Sequence, residues 1–152
     1  IARVKDMYEK EKIRCEIAPF FKDVKEKLGA ADLVISRGGA STVAEIVVAG
    51  RPAIFVPYPY HTDQQQKMNA MNIVARNGGW LMEEGKDFTA DQLQERLMQL
   101  LDNPQTLFTA AEQARKCGFP DAARRLGNLV TAVVQGWSQA DDPNLEMMKG
   151  KL

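Results

Sequence analysis

The chain has 152 residues, 45% hydrophobic and 26% charged, which is typical of a globular domain with one core. Basic and acidic side chains both number 20, so the formal net charge is zero, and no overall basic field is available to hold a nucleic-acid backbone. No apolar run approaches the roughly 20 residues that cross a bilayer, and no signal peptide is evident. Cys15 and Cys117 lie far apart and outside any Cys/His cluster. We therefore expect a cytoplasmic protein with no nucleic-acid partner, no metal and no cofactor.

The predicted elements alternate between strand-length apolar runs and helix-period segments. A charged, helix-like stretch at residues 4–12 comes first. The predicted strands then cover residues 13–17, 33–36, 53–56 and 80–82, and the helices between them cover residues 22–28, 42–49 and 64–77. Such alternation predicts an α/β fold, in which a Rossmann-like parallel sheet carries helices on both faces.

Three further helical patterns follow without strands, at residues 90–101, 104–116 and 120–137, and the last two open on a proline at a helix-start position. We expect them to pack around the sheet, so that residues 1–137 form one domain. From Ser138 onward the apolar periodicity is lost, which predicts a mobile tail at residues 138–152.

Ligands of parallel α/β sheets bind beyond the carboxyl ends of the strands, where two loops carry suitable residues. In the first, Ser36 and Arg37 lead through Gly38 and Gly39 directly into a helix. Its glycines admit a ligand to the backbone, and the N–H groups at the helix start attract an anion such as phosphate. Alternatively, Thr42 and Glu45 form a capping box and the glycines only make the turn. Neither a dinucleotide fingerprint nor a Walker loop is present.

The second loop follows the third predicted strand and combines an imidazole, a carboxylate and three amides within six residues. They are His61, Asp63, Gln64, Gln65 and Gln66. Such a density of donors and acceptors suits the hydroxyl groups of a sugar. The alternative is again a helix cap, made by Asp63 or Thr62 together with Gln65 or Gln66.

Two further features remain ambiguous from the residues alone. His61 is the only histidine, but no nucleophile or second carboxylate is arranged near it, so we expect it to orient the loop or touch a ligand rather than to act as a general base. Phe20 and Phe21 follow the first predicted strand. They could stack on a nucleobase, although their residue type alone favours a place in the core.

Three segments, residues 31–46, 49–57 and 61–70, resemble in order and spacing the C-terminal half of the bacterial peptidoglycan glycosyltransferase family, of the two-domain GT-B class. The resemblance runs from about Cys15 to Trp137. It implies an inverting transfer of N-acetylglucosamine from its UDP donor to lipid-linked muramoyl-pentapeptide, which converts lipid I to lipid II in peptidoglycan synthesis. It also implies a location on the inner face of the bacterial plasma membrane, where the protein is peripheral and makes contact through its other half.

The resemblance further implies a role for individual residues in binding the donor. Phe20 would cover the uracil, Phe21 would read its edge through the backbone, and Glu45 would accept hydrogen bonds from the ribose. Ala40, Ser41 and Thr42 would line the nucleotide and diphosphate, and Gln65 and Gln66 would hold the sugar hydroxyls. His61 and Asp63 would shape the donor pocket, and Arg37 is expected as a further substrate-binding residue.

The chain departs from the family pattern at two places. The stretch from Pro57 to His61 is one residue longer, and the first strand-loop-helix of the C-terminal domain has no counterpart. The resemblance therefore implies a domain truncated at its N-terminus, with weakened donor affinity. Because the family places its catalytic base in the N-terminal domain, no catalytic residue is expected here, and we expect this chain alone to be inactive.

Other functions remain open from the sequence. The chain could belong to another UDP-sugar GT-B transferase, such as a lipid galactosyltransferase, or serve as a non-catalytic nucleotide-sugar-binding module. A phosphate-binding α/β domain unrelated to sugars is the third alternative, and it would show no preference for uridine.

Overall fold

Three strands and seven helices make up the part of the chain that the computed structural model describes, residues 1–60 and 62–137. The strands are β1 (Val34–Ser36), β2 (Ala53–Phe55) and β3 (Gly79–Leu81). The helices are α1 (Ala2–Lys10), α2 (Val24–Ala30), α3 (Ala40–Val48), α4 (Gln65–Val74), α5 (Ala90–Leu101), α6 (Pro104–Lys116) and α7 (Ala122–Val134). Within this part, no helix is both long and apolar enough to span a membrane.

The three strands form a parallel sheet in the order β1-β2-β3. Their last residues, Ser36, Phe55 and Leu81, lie side by side in register. The loops that follow the three strands therefore leave the sheet at a common edge. This alignment places the two predicted ligand loops next to each other.

The side chains of β2 alternate between two hydrophobic clusters, one on each face of the sheet. Ala53 and Phe55 pack with residues of α3, α4 and α6. Ile54 and Val56 pack on the other face with Met82 and with Leu100 of α5. All three residues of β2 are fully buried, as expected for a central parallel strand. The predicted α/β fold, with helices on both faces of a parallel sheet, is confirmed.

The prediction of a first strand at residues 13–17 is wrong. These residues adopt no regular structure, and the Ile13 side chain is 54% exposed. The Ile13 N–H donates to the carbonyl of Tyr8 as the chain leaves α1. A strand is stable only beside a hydrogen-bonded neighbour, and the sheet of the described residues contains only β1, β2 and β3. The apolar residues of this run are therefore insufficient to make it a strand.

A left-handed glycine ends α3 and starts the approach to β2. Gly50 has a φ of 64°, which is costly for residues with a Cβ. Its N–H donates to Val47 O at 3.0 Å, and the Arg51 N–H donates to Ile46 O at 3.1 Å. These bonds satisfy carbonyls in the last turn of α3 and reverse the chain so that β2 runs parallel to β1.

The chain divides after Gly118 into two compact units, and both hydrophobic clusters belong to the first. The described part of the second unit contains α7, in which no side chain is buried. The guanidinium of Arg125, in the first turn of α7, lies 5.3 Å from the ring centroid of Phe119, which precedes the helix. That residues 1–137 bind ligand as one domain stays a prediction, and the predicted mobile tail, residues 138–152, lies outside the described residues.

Candidate functional site

The two predicted ligand loops meet at Gly38. Its carbonyl accepts a hydrogen bond from Asn69 Nδ2 of α4 at 3.1 Å. A Cβ at position 38 would lie 2.1 Å from the carbonyl oxygen of Gln66, far inside contact distance. Glycine is therefore required here by the close approach of α4. The sequence had indicated a close approach by a ligand instead.

The first turn of α3 faces solvent at the loop after β1. The helix begins at Ala40 with Gly39 as its N-cap, and no side chain caps it. Because Thr42 lies inside the helix, the interpretation of Thr42 as the cap of a capping box is wrong. The first N–H groups of any α-helix lack intrahelical partners. Those of Ala40, Ser41 and Thr42 lie on an exposed turn, an arrangement that can bind an anion.

The start of α4 is held by side-chain hydrogen bonds. Asp63 Oδ1 accepts from the Gln65 N–H at 3.2 Å, so Asp63 does help to cap the helix, although the N-cap position belongs to Gln64, with a left-handed φ of 52°. Gln66 Oε1 accepts from the Tyr58 N–H at 3.0 Å. Gln65 remains exposed, whereas Gln66 is half-buried. His61, predicted to belong to this loop, lies outside the described residues.

Arg37 connects all three loops at the carboxyl edge of the sheet. Its Nη1 donates to the carbonyls of Val56 and Pro57, both at 3.2 Å. Its Nη2 lies 2.6 Å from Glu84 Oε1, and the guanidinium lies 5.8 Å from the Tyr58 ring centroid. The family resemblance implied that Arg37 binds substrate. In the structure, its guanidinium binds protein groups on the neighbouring loops.

The sequence analysis missed an acidic pair, Glu83 and Glu84, that follows β3. Glu83 Oε2 lies 2.6 Å from Lys67 Nζ of α4, and the other carboxylate oxygen of Glu83 pairs with Lys86. The ammonium groups of Lys67 and then Lys86 lower the pKa of the Glu83 carboxyl, and burial opposes them only in part. The sequence does contain a signal for this pair, because two acidic residues directly follow a strand at the edge of the sheet where ligand loops gather.

A groove of about 530 Å³ separates α2 from α3 and brings Glu45 close to the helix that follows the two phenylalanines. Its walls include Lys22, Val24, Lys25 and Leu28 on one side and Glu45 and Val48 on the other. Glu45 is exposed, so its carboxylate is accessible to a ligand.

Phe20 and Phe21 precede α2 and differ in burial. Phe20 is 75% exposed, so the interpretation of Phe20 as a core residue is wrong. Phe21 is half-buried, and Lys27 Nζ lies 4.6 Å from its ring centroid. The ring of Phe20 is therefore the one available for stacking.

The structure thus divides the predicted site residues into two neighbourhoods. Arg37, the start of α3 and the start of α4 meet at the ends of the strands, while Glu45 lines the groove beside α2. Across residues 1–60 and 62–137, no group of three or more His, Cys, Asp or Glu side chains is arranged to hold a metal ion.

A parallel α/β sheet whose helix-starting loops meet at its carboxyl edge defines the Rossmann-like class of nucleotide-binding domains. Comparison with known families is more specific. The sequence model described as "Glycosyltransferase family 28 C-terminal domain" matches residues 2–126. The chain belongs to this family.

Similar proteins bear a consistent name. The chain is 43% identical over 143 residues to the "UDP-N-acetylglucosamine--N-acetylmuramyl-(pentapeptide) pyrophosphoryl-undecaprenol N-acetylglucosamine transferase" of Rhodospirillum centenum, covering 94% of this chain and 38% of the relative. The protein of that name from Rhodospirillum rubrum is 46% identical over 132 residues, covering 87% of this chain and 34% of the relative. The chain therefore spans just over a third of the length of these relatives.

A solved structure shares the fold. The crystal structure of Acinetobacter baumannii MurG superposes with a TM-score of 0.70 at 29% sequence identity, over 78% of this chain and 34% of that chain. This match agrees with the GT-B fold expected from the sequence.

Proposed function

We propose that this chain is the donor-binding part of an inverting glycosyltransferase that moves N-acetylglucosamine from UDP-N-acetylglucosamine to lipid-linked muramoyl-pentapeptide. One structural observation carries the proposal: the exposed first turn of α3 and the start of α4 meet at the carboxyl edge of the sheet, joined through Gly38 and Asn69. The names of the relatives supply the chemical identity of the substrates.

The diphosphate of the donor would bind at the first turn of α3. Backbone N–H groups and the positive end of the helix dipole favour an anion there. In a direct displacement, negative charge grows on the departing UDP, and donors that are already in place stabilise it without a metal ion. Ala40, Ser41 and Thr42 would supply these N–H groups.

The uridine would bind beside α2. The exposed Phe20 ring offers a flat apolar surface to the uracil, and the backbone of Phe21 would read the edge of the base. The Glu45 carboxylate accepts hydrogen bonds only, so it suits the two hydroxyl donors of a ribose.

The N-acetylglucosamine would bind at the start of α4. The exposed amide of Gln65 offers both a donor and an acceptor to sugar hydroxyls, and Gln66 would approach from the same turn. Asp63 and His61 would shape the pocket. The hydrogen bond of Gln66 to Tyr58 would keep the turn in place.

The acceptor would bind elsewhere in the full-length protein. We propose that the catalytic base, the acceptor site and a peripheral contact with the inner face of the plasma membrane belong to the remainder of the relatives' length. This chain alone would therefore bind donor without turning it over.

The proposal is tested by titrating the chain with UDP-N-acetylglucosamine, UDP-galactose and CDP while recording backbone amide chemical shifts. We expect saturable shifts at Phe20, at residues 40–45 and at residues 65–66, strongest with UDP-N-acetylglucosamine. A preference for UDP-galactose would favour the lipid galactosyltransferase alternative. Equal responses to UDP and CDP would contradict uridine recognition and favour a general phosphate-binding domain.

A substitution at Glu45 tests the ribose contact separately. Glu45→Gln should weaken the binding of UDP by about 0.5–1.5 kcal/mol, because one acceptor is lost, and should weaken 2′-deoxy-UDP less. Glu112→Gln on α6, also exposed, is the matched control. Equal losses for UDP and its deoxy analogue would refute the assignment of Glu45.

A further inference from the structure

The loop after β3 makes ion pairs with both predicted donor loops. Glu84 contacts Arg37, which follows β1, and Glu83 contacts Lys67 of α4. We propose that Glu83 and Glu84 are positioning residues for the donor: they hold the two donor loops in register without touching the substrate. This inference rests on the proposed function.

Glu84 fixes the orientation of the Arg37 guanidinium. The guanidinium is planar, so placing Nη2 at 2.6 Å from Glu84 also sets the direction of Nη1, which binds the carbonyls of Val56 and Pro57 at 3.2 Å. These carbonyls belong to the beginning of the loop that leads to α4. Glu84 therefore acts on the sugar-binding loop through Arg37.

Glu83 restrains the start of α4 directly. Its carboxylate is 20% exposed and lies 2.6 Å from Lys67 Nζ, in the same helical turn as Gln65 and Gln66. The backbone around Glu83 is also restrained, since its carbonyl accepts from the N–H groups of Lys86 and Phe88, both at 3.1 Å. The ion pair thus ties the first turn of α4 to a closed loop.

The two ion pairs also offset the positive charges next to the proposed diphosphate site. Arg37 and Lys67 each face a carboxylate at 2.6 Å. An incoming diphosphate would therefore be bound mainly by the directional N–H groups of the α3 start, which select position as well as charge. The acidic loop would improve the fit of the donor rather than attract it.

Glu84→Gln and Glu83→Gln in the full-length protein test the inference. Each should raise the KM for UDP-N-acetylglucosamine about three- to fivefold, the range expected for a half-exposed ion pair, and leave the acceptor KM unchanged. Glu84→Asp should lose less than Glu84→Gln. Lys86→Ala is the matched control, because Lys86 pairs with Glu83 but lies on neither donor loop, and it should leave the donor KM unchanged.

Charge reversal separates positioning from general loss of stability. The triple variant Glu83→Lys with Lys67→Glu and Lys86→Glu should regain donor affinity, because it restores opposite charges in both ion pairs of position 83. Glu84→Arg with Arg37→Glu should not, because the reversed pair cannot donate to the carbonyls of Val56 and Pro57. Recovery in the second pair, or failure in the first with an unchanged melting temperature, would overturn the inference.

Two outcomes distinguish this inference from the proposed function. Wild-type protein that does not bind UDP-N-acetylglucosamine overturns both. If Glu83→Gln and Glu84→Gln both bind UDP-N-acetylglucosamine with the affinity of wild type, the positioning role alone is overturned. As a second measurement, exchange of the Tyr58 amide proton, which is bonded to Gln66, should accelerate in Glu84→Gln. Unchanged exchange would also overturn the role of Glu84.

Discussion

At the scale of single residues, Gly38 shows how closely the two candidate ligand loops approach each other. A Cβ at this position would lie 2.1 Å from the Gln66 carbonyl oxygen and 2.9 Å from its carbon. Both atoms belong to the backbone, so they cannot move aside as a flexible side chain would. The space at Gly38 therefore couples the position of α4 to that of the loop after β1.

We predict that Gly38→Ala lowers the free energy of unfolding by about 1–3 kcal/mol, because the added methyl group forces the backbone apart. Gly39→Ala is the matched control: its Cβ would meet only Thr42 Oγ1 at 3.8 Å, and we expect a change below about 0.5 kcal/mol. Chemical denaturation measures both. Equal effects at the two positions would show that the approach of α4 is not the constraint.

The lowered pKa of Glu83 predicts a pH dependence of stability. The folded protein holds this carboxyl ionised below its usual pKa of 4.5 through Lys67 and Lys86. The contribution of this carboxylate to the free energy of unfolding is therefore fully present above pH 4.5. It is lost as the pH falls through the lower pKa of the folded state. The stability difference between wild type and Glu83→Gln should be constant near neutral pH and vanish in acid.

Denaturation of the two proteins at several pH values measures this difference. Lys67→Ala removes the larger of the two interactions that lower the Glu83 pKa. The stability of this variant should therefore depend less on pH than that of wild type. A difference between wild type and Glu83→Gln that stays constant into strong acid would show that the ion pairs do not contribute to stability.

At the scale of secondary-structure elements, β2 carries the packing of both faces of the sheet. Phe55 is fully buried on one face and Ile54 on the other. Because packed hydrophobic residues cover both faces of the sheet at β2, its side chains have no route to solvent. The sequence of this strand carries no charge, as is typical of a central parallel strand.

Phe55→Ala should lower the free energy of unfolding by about 3–5 kcal/mol, as truncation of a buried aromatic residue leaves a cavity. Phe108→Ala on α6 makes the same substitution at a side chain that is 59% exposed, and should cost less than about 1 kcal/mol. Thermal and urea unfolding would compare them. A similar loss at both positions would contradict the assignment of Phe55 to the core.

Local signals in the sequence predicted the elements that depend on local chemistry. α5 begins after Thr89, whose hydroxyl accepts from the Gln92 N–H at 3.3 Å, and α6 begins with Pro104. The bounds predicted for both helices are confirmed. The strand predicted at residues 13–17 failed because a strand depends on a neighbour that its own sequence does not specify. The capping box at Thr42 failed because the helix begins two residues earlier, at Ala40.

The candidate site was predictable to a similar extent. The convergence of two loops follows from the parallel sheet, which the alternation of elements indicated. The partners of Arg37 were not predictable, because Val56 and Pro57 contribute carbonyls, which every residue has, and Glu84 is 47 positions away in the sequence. Contacts of this kind depend on the register of the three strands.

At the scale of the whole molecule, the hydrophobic clusters are confined to the unit that ends at Gly118. We predict that a chain of residues 1–118 folds cooperatively and retains the parallel sheet, because each described residue of the core lies within it. Circular dichroism and urea unfolding would test this. Loss of cooperative unfolding in the shortened chain, with the 152-residue chain intact, would show that the second unit is needed for the first to fold.

The contact of Arg37 with two main-chain carbonyls has a consequence for how this family can diverge. Carbonyl oxygens persist whatever side chains occupy positions 56 and 57, so homologues can exchange those residues and still keep the same hydrogen bonds. Glu84 has no such substitute. Covariation among homologues should therefore link positions 37 and 84, and leave the hydrogen bonds of position 37 with 56 and 57 undetected.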